Sequence, residues 1–347
     1  MRAPVLIVAA VAGLVLVPLV HAGLAETPVL TSARNEVVPA ADTHAGGDPL
    51  LAFARSRPGN PNAFDAFLRR TTPGGMTIVK LNRRGYGFTG GIDSPLVVYQ
   101  EIFRRQSNLK IYDIDTGTRT TLPPRVNTRY WEYAPSISGD WLAFTRDLPR
   151  NRSRIALYNR STAEQRILET IGRDAFGYTG QVAGNWLVWT RCAKQCHVFR
   201  YNIAARTRIR LPKPTGRGNR EHYASSVTPT GVVYAARSGR ACGASVKIVR
   251  FFAPGDPSTG TVVARLPRER DLLAASTRVN GDGSTDVFYD RRRCSARPAW
   301  NIYRITDPAV PPRGASKSRD SASSSTRALE STSGTKRPAS HPGSRSR

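Results

Sequence analysis

The sequence has few acidic residues, few cysteines and only one long apolar run. Its 347 residues include 25 Asp and Glu against 52 Lys and Arg, and four cysteines. The apolar run, residues 5–20, is shorter than the roughly 20 residues that a membrane-spanning helix needs, and Pro18 interrupts it. An apolar fraction of 39% is sufficient for a folded core, but it is too low and too interrupted for a polytopic membrane protein.

Familiar catalytic motifs are also missing. The sequence has neither a Gly-x-Ser-x-Gly nucleophile turn nor a His-Glu-x-x-His zinc pair. Its five histidines are scattered along the chain, whereas general acid–base catalysis normally needs a paired group. Residues 280–286 place oxygen-bearing side chains at alternate positions, as a calcium loop does, but they lack the terminal Glu and the flanking helices of an EF-hand. We interpret this segment as a hairpin turn, and we predict no cofactor and no metal.

The amino-terminal segment has the features of an export signal. Arg2 precedes the apolar run, and small residues follow it at Ala22 and Ala25. We predict a signal peptide over residues 1–25 that is removed on export, which places the protein outside the cell or in the cell envelope. An uncleaved signal would instead anchor the protein to the membrane. An even number of cysteines agrees with an oxidising compartment.

Aromatic residues recur at a fixed interval through most of the chain. One series is spaced by 45 residues and consists of Phe88, Tyr133, Tyr178 and Tyr223. A second series closes a short apolar run in each copy and consists of Phe53, Tyr99, Phe144, Trp189, Tyr234 and Tyr289. A period in the forties, built from strand-like runs, is typical of a β-propeller. We interpret the second series as core residues that pack between blades.

Each copy divides into four short strands that are separated by turn residues. In the copy that begins at Tyr133, strands are predicted at residues 133–137, 141–145, 155–158 and 165–168. Gly, Asp and Asn in the turns provide the positive φ angles that hairpins require. Six copies between residues 37 and 306 predict an all-β fold, a six-bladed β-propeller of four-stranded blades.

The two ends of the repeat region predict how the ring closes. The last copy lacks its fourth strand, and residues 28–34, just after the signal, alternate apolar and polar side chains. We expect this amino-terminal segment to pair with the last blade, which removes an open sheet edge. The predicted propeller therefore covers residues 26–306. Residues 307–347 are rich in Ser, Pro and Arg and predict a disordered basic tail.

Two segments carry a resemblance to a known family. Residues 138–144 (SGDWLAF) and 111–117 (IYDIDTG) resemble the two turn-and-strand motifs of the TolB-type propeller repeat. The resemblance covers about residues 37–306, and it implies an exported propeller that binds partners.

The four cysteines fall in one kind of predicted hairpin, the one between the second and third strands. Cys192 and Cys196 lie in the fourth copy, Cys242 in the fifth and Cys294 in the sixth. We predict disulfides Cys192–Cys196 and Cys242–Cys294, since neighbouring loops can meet the distance that a disulfide requires. A metal site that uses Cys192, Cys196 and His197 is the alternative.

Arginines are concentrated in the same hairpins and in the segments that join blades, which lie on one face of a propeller. Arginine forks suit phosphate, sulfate and carboxylate groups, and an aromatic ring beside them can stack on a sugar or a base. The alternative is that 45 arginines against seven lysines reflect the composition of the genome. The candidate binding residues are Arg104, Arg105, Arg129, Trp131, Arg150, Arg152, Arg191, Arg220, His222, Arg237, Arg291, Arg292 and Arg293.

Three classes of function fit these observations. We expect a non-enzymatic binding module whose basic face recognises an anionic partner: a cell-wall polymer, an acidic glycan or an acidic protein. Export argues against genomic nucleic acid. A second class is a lyase or hydrolase that acts on an anionic polysaccharide at the central mouth, with His222, Glu221, Tyr133 and Asp174 as first suspects. A third is a structural envelope protein whose tail enters the cell wall.

Overall fold

The regular structure of the protein is entirely β. The computed structural model describes residues 24–212, 221–238, 246–251, 260–266, 270–293 and 299–308. In these residues 24 strands form six antiparallel four-stranded sheets, which are the blades of a six-bladed β-propeller. The fold class predicted from the repeat is therefore confirmed.

The first three blades follow one another along the chain. Blade one consists of β2 Glu36–Thr43, β3 Pro49–Arg57, β4 Asn60–Thr72 and β5 Gly75–Lys80. Blade two consists of β6 Tyr86–Asp93, β7 Leu96–Phe103, β8 Gln106–Asp113 and β9 Arg119–Thr121. Blade three consists of β10 Glu132–Ser138, β11 Trp141–Leu148, β12 Arg152–Asn159 and β13 Gln165–Ile171.

The remaining blades repeat this order, with an exchanged strand in the last. Blade four consists of β14 Phe176–Ala183, β15 Trp186–Cys192, β16 Cys196–Asn202 and β17 Thr207–Arg210. Blade five consists of β18 Glu221–Val227, β19 Val233–Ser238, β20 Lys247–Phe251 and β21 Thr261–Arg265. Blade six consists of β22 Arg270–Val279, β23 Thr285–Arg293, β24 Asn301–Asp307 and, as its outer strand, β1 Thr27–Leu30.

The second-strand aromatics form the core between blades, as the sequence predicts. All six are at most 3% exposed. Tyr99 of blade two packs in one cluster with Leu50 and Leu68 of blade one, and Trp189 of blade four packs with Leu157 of blade three. These two rings bury apolar area against the preceding blade, whereas Tyr234 of blade five packs with Leu272 and Val287 of the following blade. In both arrangements the ring holds neighbouring sheets face to face.

Every inner strand carries a β-bulge at the same height. The register shifts between residues 37 and 40, 89 and 91, 133 and 136, 179 and 182, 223 and 226, and 272 and 275. The bulges free backbone groups that bond to neighbouring blades: Thr89 Oγ1 donates to Val38 O over 2.7 Å, and Thr179 Oγ1 donates to Ala134 O. The bulges therefore tie each inner strand to the next and curve the ring around its axis.

The amino-terminal strand closes the ring, as predicted. Strand β1 pairs antiparallel with β24, and Glu36 N donates to Trp300 O over 2.8 Å at the seam between blades one and six. The carboxylate of Glu26, just before β1, accepts from the Tyr289 hydroxyl over 2.7 Å and from both Nε and Nη2 of Arg291. A bidentate, charge-assisted contact of this kind fixes the position of the closing strand.

The described residues include no helix that is long and apolar enough to span a membrane. The predicted signal lies mostly in residues 1–23, and the predicted tail mostly in residues 309–347, both outside the described part of the chain.

Removal of the Glu26 charge should weaken ring closure. We expect Glu26→Gln to lower the free energy of unfolding by about 3 kcal/mol, because Arg291 then remains buried without its counter-charge. Urea denaturation of the purified protein measures the change. The control is Glu164→Gln, which removes an exposed partner of Arg166 and should cost much less. Equal losses in the two variants would show that closure does not depend on this ion pair.

Candidate functional site

The antiparallel order of the strands gives the propeller two distinct faces. The hairpins between the second and third strands lie at the same end of each blade as the segments that join blades. We call this end the loop face, and we call the opposite end, with the turns after the first and third strands, the turn face. Most of the predicted binding residues belong to the loop face.

Several loop-face arginines pair with carboxylates inside their own blade. The first-strand Glu36 and Glu132 lie directly across from Arg55 and Arg146 of the second strand. Both carboxylates are 0% exposed, and the Arg–Glu distance is 2.8 Å in each pair. Arg146 also lies over the Phe144 ring, 5.3 Å from its centroid. These arginines support the blade and are not available to a partner.

His222 occupies the corresponding first-strand position in blade five, across from Arg237. Its ring is 2% exposed, Nε2 accepts from Arg237 Nε over 3.2 Å, and the ring edge contacts Phe251. Burial, with the positive charge of Arg237 and the nearby His197, lowers the pKa of His222 to about 3. The prediction that His222 and Arg237 contribute to an accessible binding face is therefore corrected, because both side chains are buried in the blade.

Three other predicted cations are also engaged within the fold. Arg291 is 6% exposed and bonds the closing residue Glu26, so it too is removed from the accessible face. Arg191 remains exposed but pairs with Glu169 over 2.9 Å. Arg292 lies over the Trp300 ring, 4.8 Å from its centroid. The predicted residue Arg220 and the side chain of Arg293 lie outside the described residues.

The remaining candidates form an exposed surface on blades two and three. We call Arg104, Arg105, Arg129, Tyr130 and Trp131 the Arg–Trp patch. Trp131 Nε1 donates to Arg105 O over 3.1 Å, and a parallel bridge joins Trp131 to Ser107, so the segment between the blades lies against the β7–β8 hairpin. Arg129 lies over the Tyr130 ring at 5.2 Å and donates to its hydroxyl. Trp131 is 41% exposed despite these contacts.

Arginine occupies hairpin tips where the backbone favours glycine or asparagine. Arg104, Arg105 and Arg150 have φ angles of 51°, 65° and 63°, in the left-handed region. Such angles cost a non-glycine residue on the order of 1 kcal/mol. All three side chains are exposed, in two hairpins where glycine would be less strained, so their presentation to solvent costs some backbone energy.

The carboxylates near the Arg–Trp patch are already occupied. Glu101 bonds Lys110 and the backbone nitrogens of Arg83 and Arg84, and Glu132 bonds Arg146. In the part of the chain that the structure describes, no ion pair joins a carboxylate to any of Arg104, Arg105, Arg129, Arg150 or Arg152. This sector of the loop face keeps its positive charge.

A polar groove adjoins blade three on the loop face. It has a volume of about 530 Å³, and its lining includes Tyr133, Asp147, Arg152, Arg173 and Asp174. Burial raises the pKa of Tyr133, whose hydroxyl donates to Gly177 O over 3.2 Å. The groove therefore brings together two of the four suspects named for an enzyme.

The other two catalytic suspects lie elsewhere. Glu221 lines the central cavity, and His222 is buried behind it in blade five. The four residues do not converge at one mouth. The described residues also contain no group of three or more His, Cys, Asp or Glu side chains that could hold a metal ion.

A disulfide joins Cys192 and Cys196 across the end of the β15–β16 hairpin, with an S–S distance of 1.98 Å. This pairing is as predicted and replaces the metal alternative for these two residues. Cys192 borders both the groove and the central cavity. The second predicted pair, Cys242 and Cys294, lies outside the described residues.

The turn face holds a side-chain relay that the sequence did not reveal. Ser94 Oγ lies 2.8 Å from His44 Nδ1, and His44 Nε2 lies 3.0 Å from an Asp115 oxygen. A nucleophile, a base and a carboxylate stand in this order in acyl-transfer enzymes. However, Asp115 is 58% exposed, and neither the groove nor the central cavity includes any of the three residues. We interpret the relay as a link between the turns of blades one and two.

Comparison with known proteins supports the fold. No protein-family model matches the sequence, and no curated protein matches it. TolB from Acinetobacter baumannii superposes with a TM-score of 0.52 at 16% identity, over 75% of this chain and 64% of that protein. This chain thus covers less than two thirds of that TolB.

Two further solved structures superpose over most of their length. Putative TolB from Agrobacterium tumefaciens has a TM-score of 0.53 at 11% identity, over 80% of this chain and 92% of that one. A Dyadobacter fermentans protein of unknown function has a TM-score of 0.55 at 11% identity, over 82% and 98%. At these identities the similarity shows a shared TolB-like propeller fold and nothing more specific.

Acid should destabilise the protein in part through His222. The native state keeps this ring neutral down to about pH 3, whereas the unfolded chain binds a proton below about pH 6.5. Between these limits stability falls as the pH falls, by roughly 3 kcal/mol from pH 7 to pH 4 for this group. Urea denaturation at both pH values should show that difference reduced in His222→Gln, which keeps an acceptor for Arg237 but does not titrate. An identical pH dependence in both proteins would contradict the buried neutral ring.

Proposed function

We propose that the protein is an exported binding module that recognises an anionic polysaccharide through the Arg–Trp patch. The observation that carries the proposal is the combination of exposed arginines, which have no ion-pair partner among the described residues, and an exposed tryptophan beside them. Arginine forks bind carboxylate and sulfate groups in two-point contacts, and an indole face stacks on a sugar ring. Proteins that hold a charged polymer commonly combine a basic surface with such stacking platforms.

The aromatic component favours a glycan over an acidic protein. Trp131 is held by its Nε1 bond to Arg105, so its ring is oriented before any ligand binds. A preorganised ring loses little conformational entropy on binding. Arg150 and Arg152, on the next hairpin, extend the positive surface for a polymer that is longer than one sugar. Export by the predicted signal would bring this surface into contact with envelope or extracellular polymers.

An enzyme that acts on an anionic polysaccharide is the competing proposal. The groove beside the patch supports it with two carboxylates, Asp147 and Asp174, and two arginines, Arg152 and Arg173. Its described lining includes no histidine, and His222 is buried elsewhere. The TolB-like fold is compatible with either role, so the products of incubation with the polymer must be examined as well as binding.

The first experiment compares binding to a panel of polymers. Polygalacturonate and chondroitin sulfate represent anionic glycans, polyglutamate represents an acidic protein, and dextran is the neutral control. We expect binding to the two anionic glycans that weakens with added salt, and little binding to dextran. Binding to polyglutamate as tight as to the glycans would favour a protein partner. Unsaturated or shortened sugars in the incubated samples would favour the enzyme.

The second experiment compares two triple variants of equal charge. Replacement of Arg104, Arg105 and Arg129 by Ala should weaken binding at least tenfold and reduce its salt dependence. The matched control replaces Arg206, Arg208 and Arg210, three exposed arginines at the outer edge of blade four, and should change affinity less than threefold. Trp131→Ala should weaken glycan binding with its salt dependence unchanged. Equal losses in both triple variants would mean that net charge, and not the patch, attracts the polymer.

A further inference from the structure

The axis of the propeller contains a cavity of about 420 Å³. All six blades contribute to it through the bulges of their inner strands, at residues 38–40, 89–91, 134–136, 178–181, 223–225 and 274–276. Concave sites of this volume, lined mainly by apolar groups, are the usual form of small-molecule sites in proteins. The cavity is separate from the Arg–Trp patch, because it includes no residue of that patch.

Many of the polar side chains in the wall are already used by the protein. Thr89 and Thr179 donate their hydroxyls to backbone oxygens of the preceding inner strand. Ser136 Oγ accepts from Val182 N over 2.9 Å. These bonds leave apolar surface, such as that of Val38 and Leu272, facing the space.

A side-chain clamp crosses the cavity near the turn face. Gln181 of blade four donates to Thr277 O of blade six over 3.0 Å and accepts from Thr277 N over 2.9 Å, passing blade five. The opposite end, toward the loop face, is bordered by Phe176, Glu221 and the Cys192–Cys196 disulfide. Phe176 is 59% exposed, so this end meets solvent. The cavity therefore has a floor at Gln181 and an opening on the loop face.

One polar atom in the described part of the wall has no hydrogen-bond partner. Ser276 is 6% exposed, and its Oγ makes no hydrogen bond within the described residues. A buried hydroxyl without a partner costs about 1–3 kcal/mol, so such an atom in a cavity wall indicates a position for a ligand atom. Among the described residues, Glu221 is the one charged side chain that lines the cavity. The described part of the wall thus offers a hydroxyl and a carboxylate, and no cation.

We propose that the central cavity binds a small aromatic or otherwise apolar molecule that carries an uncharged or cationic hydrogen-bond donor. The donor bonds Ser276 Oγ, the apolar body fills the space between the inner strands, and the tyrosine and phenylalanine rings of blades four and five border the opening. An anionic ligand is disfavoured inside, because Glu221 repels it and no basic side chain lines the part of the wall that the structure describes. The specificity of the cavity is therefore opposite to that of the loop face.

Three probes with one aromatic skeleton test the proposal. N-phenyl-1-naphthylamine is neutral and has one N–H donor, 1-benzylnaphthalene replaces that donor by a methylene, and 1-anilinonaphthalene-8-sulfonate adds a negative charge. We expect the amine to bind the full-length protein at one site with a rise in fluorescence, and to bind at least threefold more tightly than the benzyl compound. We expect the sulfonate to bind more weakly, with an affinity that falls with salt because it contacts the loop face.

Two cavity variants and one patch variant locate the binding. Ala274→Phe fills the cavity and should weaken binding of the amine at least tenfold, and Ser276→Ala should weaken the amine but not the benzyl compound. If Ala274→Phe does not fold, as judged by circular dichroism and thermal melting, Ser276→Val takes its place. The Arg104, Arg105 and Arg129 triple variant should bind the amine normally, so failure of the glycan proposal would not affect this one. Unchanged binding of the amine in a folded cavity-filling variant, or tighter binding of the sulfonate than of the amine, would overturn the proposal.

Discussion

Closure of the ring is the constraint on which the other features depend. Six sheets that each bury both faces against neighbours have no stable end, so the first and last blades must be joined. The chain meets this requirement with a strand from its amino-terminal region, fixed by the contact of Glu26 with Arg291 and Tyr289. At the same seam the buried carboxylate of Asp290 accepts from Val38 N and Ala274 N, over 2.7 Å each. The central cavity and the common loop face exist only because this seam holds.

The arginines have two roles, support of the fold and exposure to a partner, and the net charge of +27 does not distinguish them. Arg55 and Arg146 are held by buried carboxylates and Arg291 by the partly buried carboxylate of Glu26, and all three stack on aromatic rings, so their charges are neutralised within the fold. Arg104 and Arg105 stand at a hairpin tip and meet no carboxylate in the described residues. Burial makes the difference, because desolvating a guanidinium is tolerated only where a counter-charge or hydrogen bonds replace water. Local charge density, and not overall charge, therefore indicates the proposed binding surface.

The protein has two regions of opposite chemistry, one an exposed surface and the other a concave cavity. The Arg–Trp patch is cationic and open, suited to a long anionic polymer, whereas the described wall of the central cavity is apolar with one carboxylate and one unsatisfied hydroxyl. Both lie at or open toward the loop face, and the Cys192–Cys196 hairpin stands between the cavity and the groove of blade three. A polymer on the loop face and a small molecule in the cavity would thus occupy neighbouring positions without sharing contact residues.

The sequence alone determined the architecture and much less of the chemistry. The 45-residue period, the turn residues and the apolar runs predicted the six blades, the closing strand and the Cys192–Cys196 disulfide, because backbone propensity and burial act locally and repeat with the chain. Tertiary structure decided which hairpin arginines are accessible to a binding partner. Strands such as β11 extend several residues past their apolar run, so residues predicted in loops, Arg146 among them, pair across the sheet with buried first-strand groups. Three other features also depend on contacts between separate parts of the chain: the burial of His222, the unpaired Ser276 hydroxyl and the Ser94–His44–Asp115 relay. The spacing of residues in a single sequence does not predict such contacts.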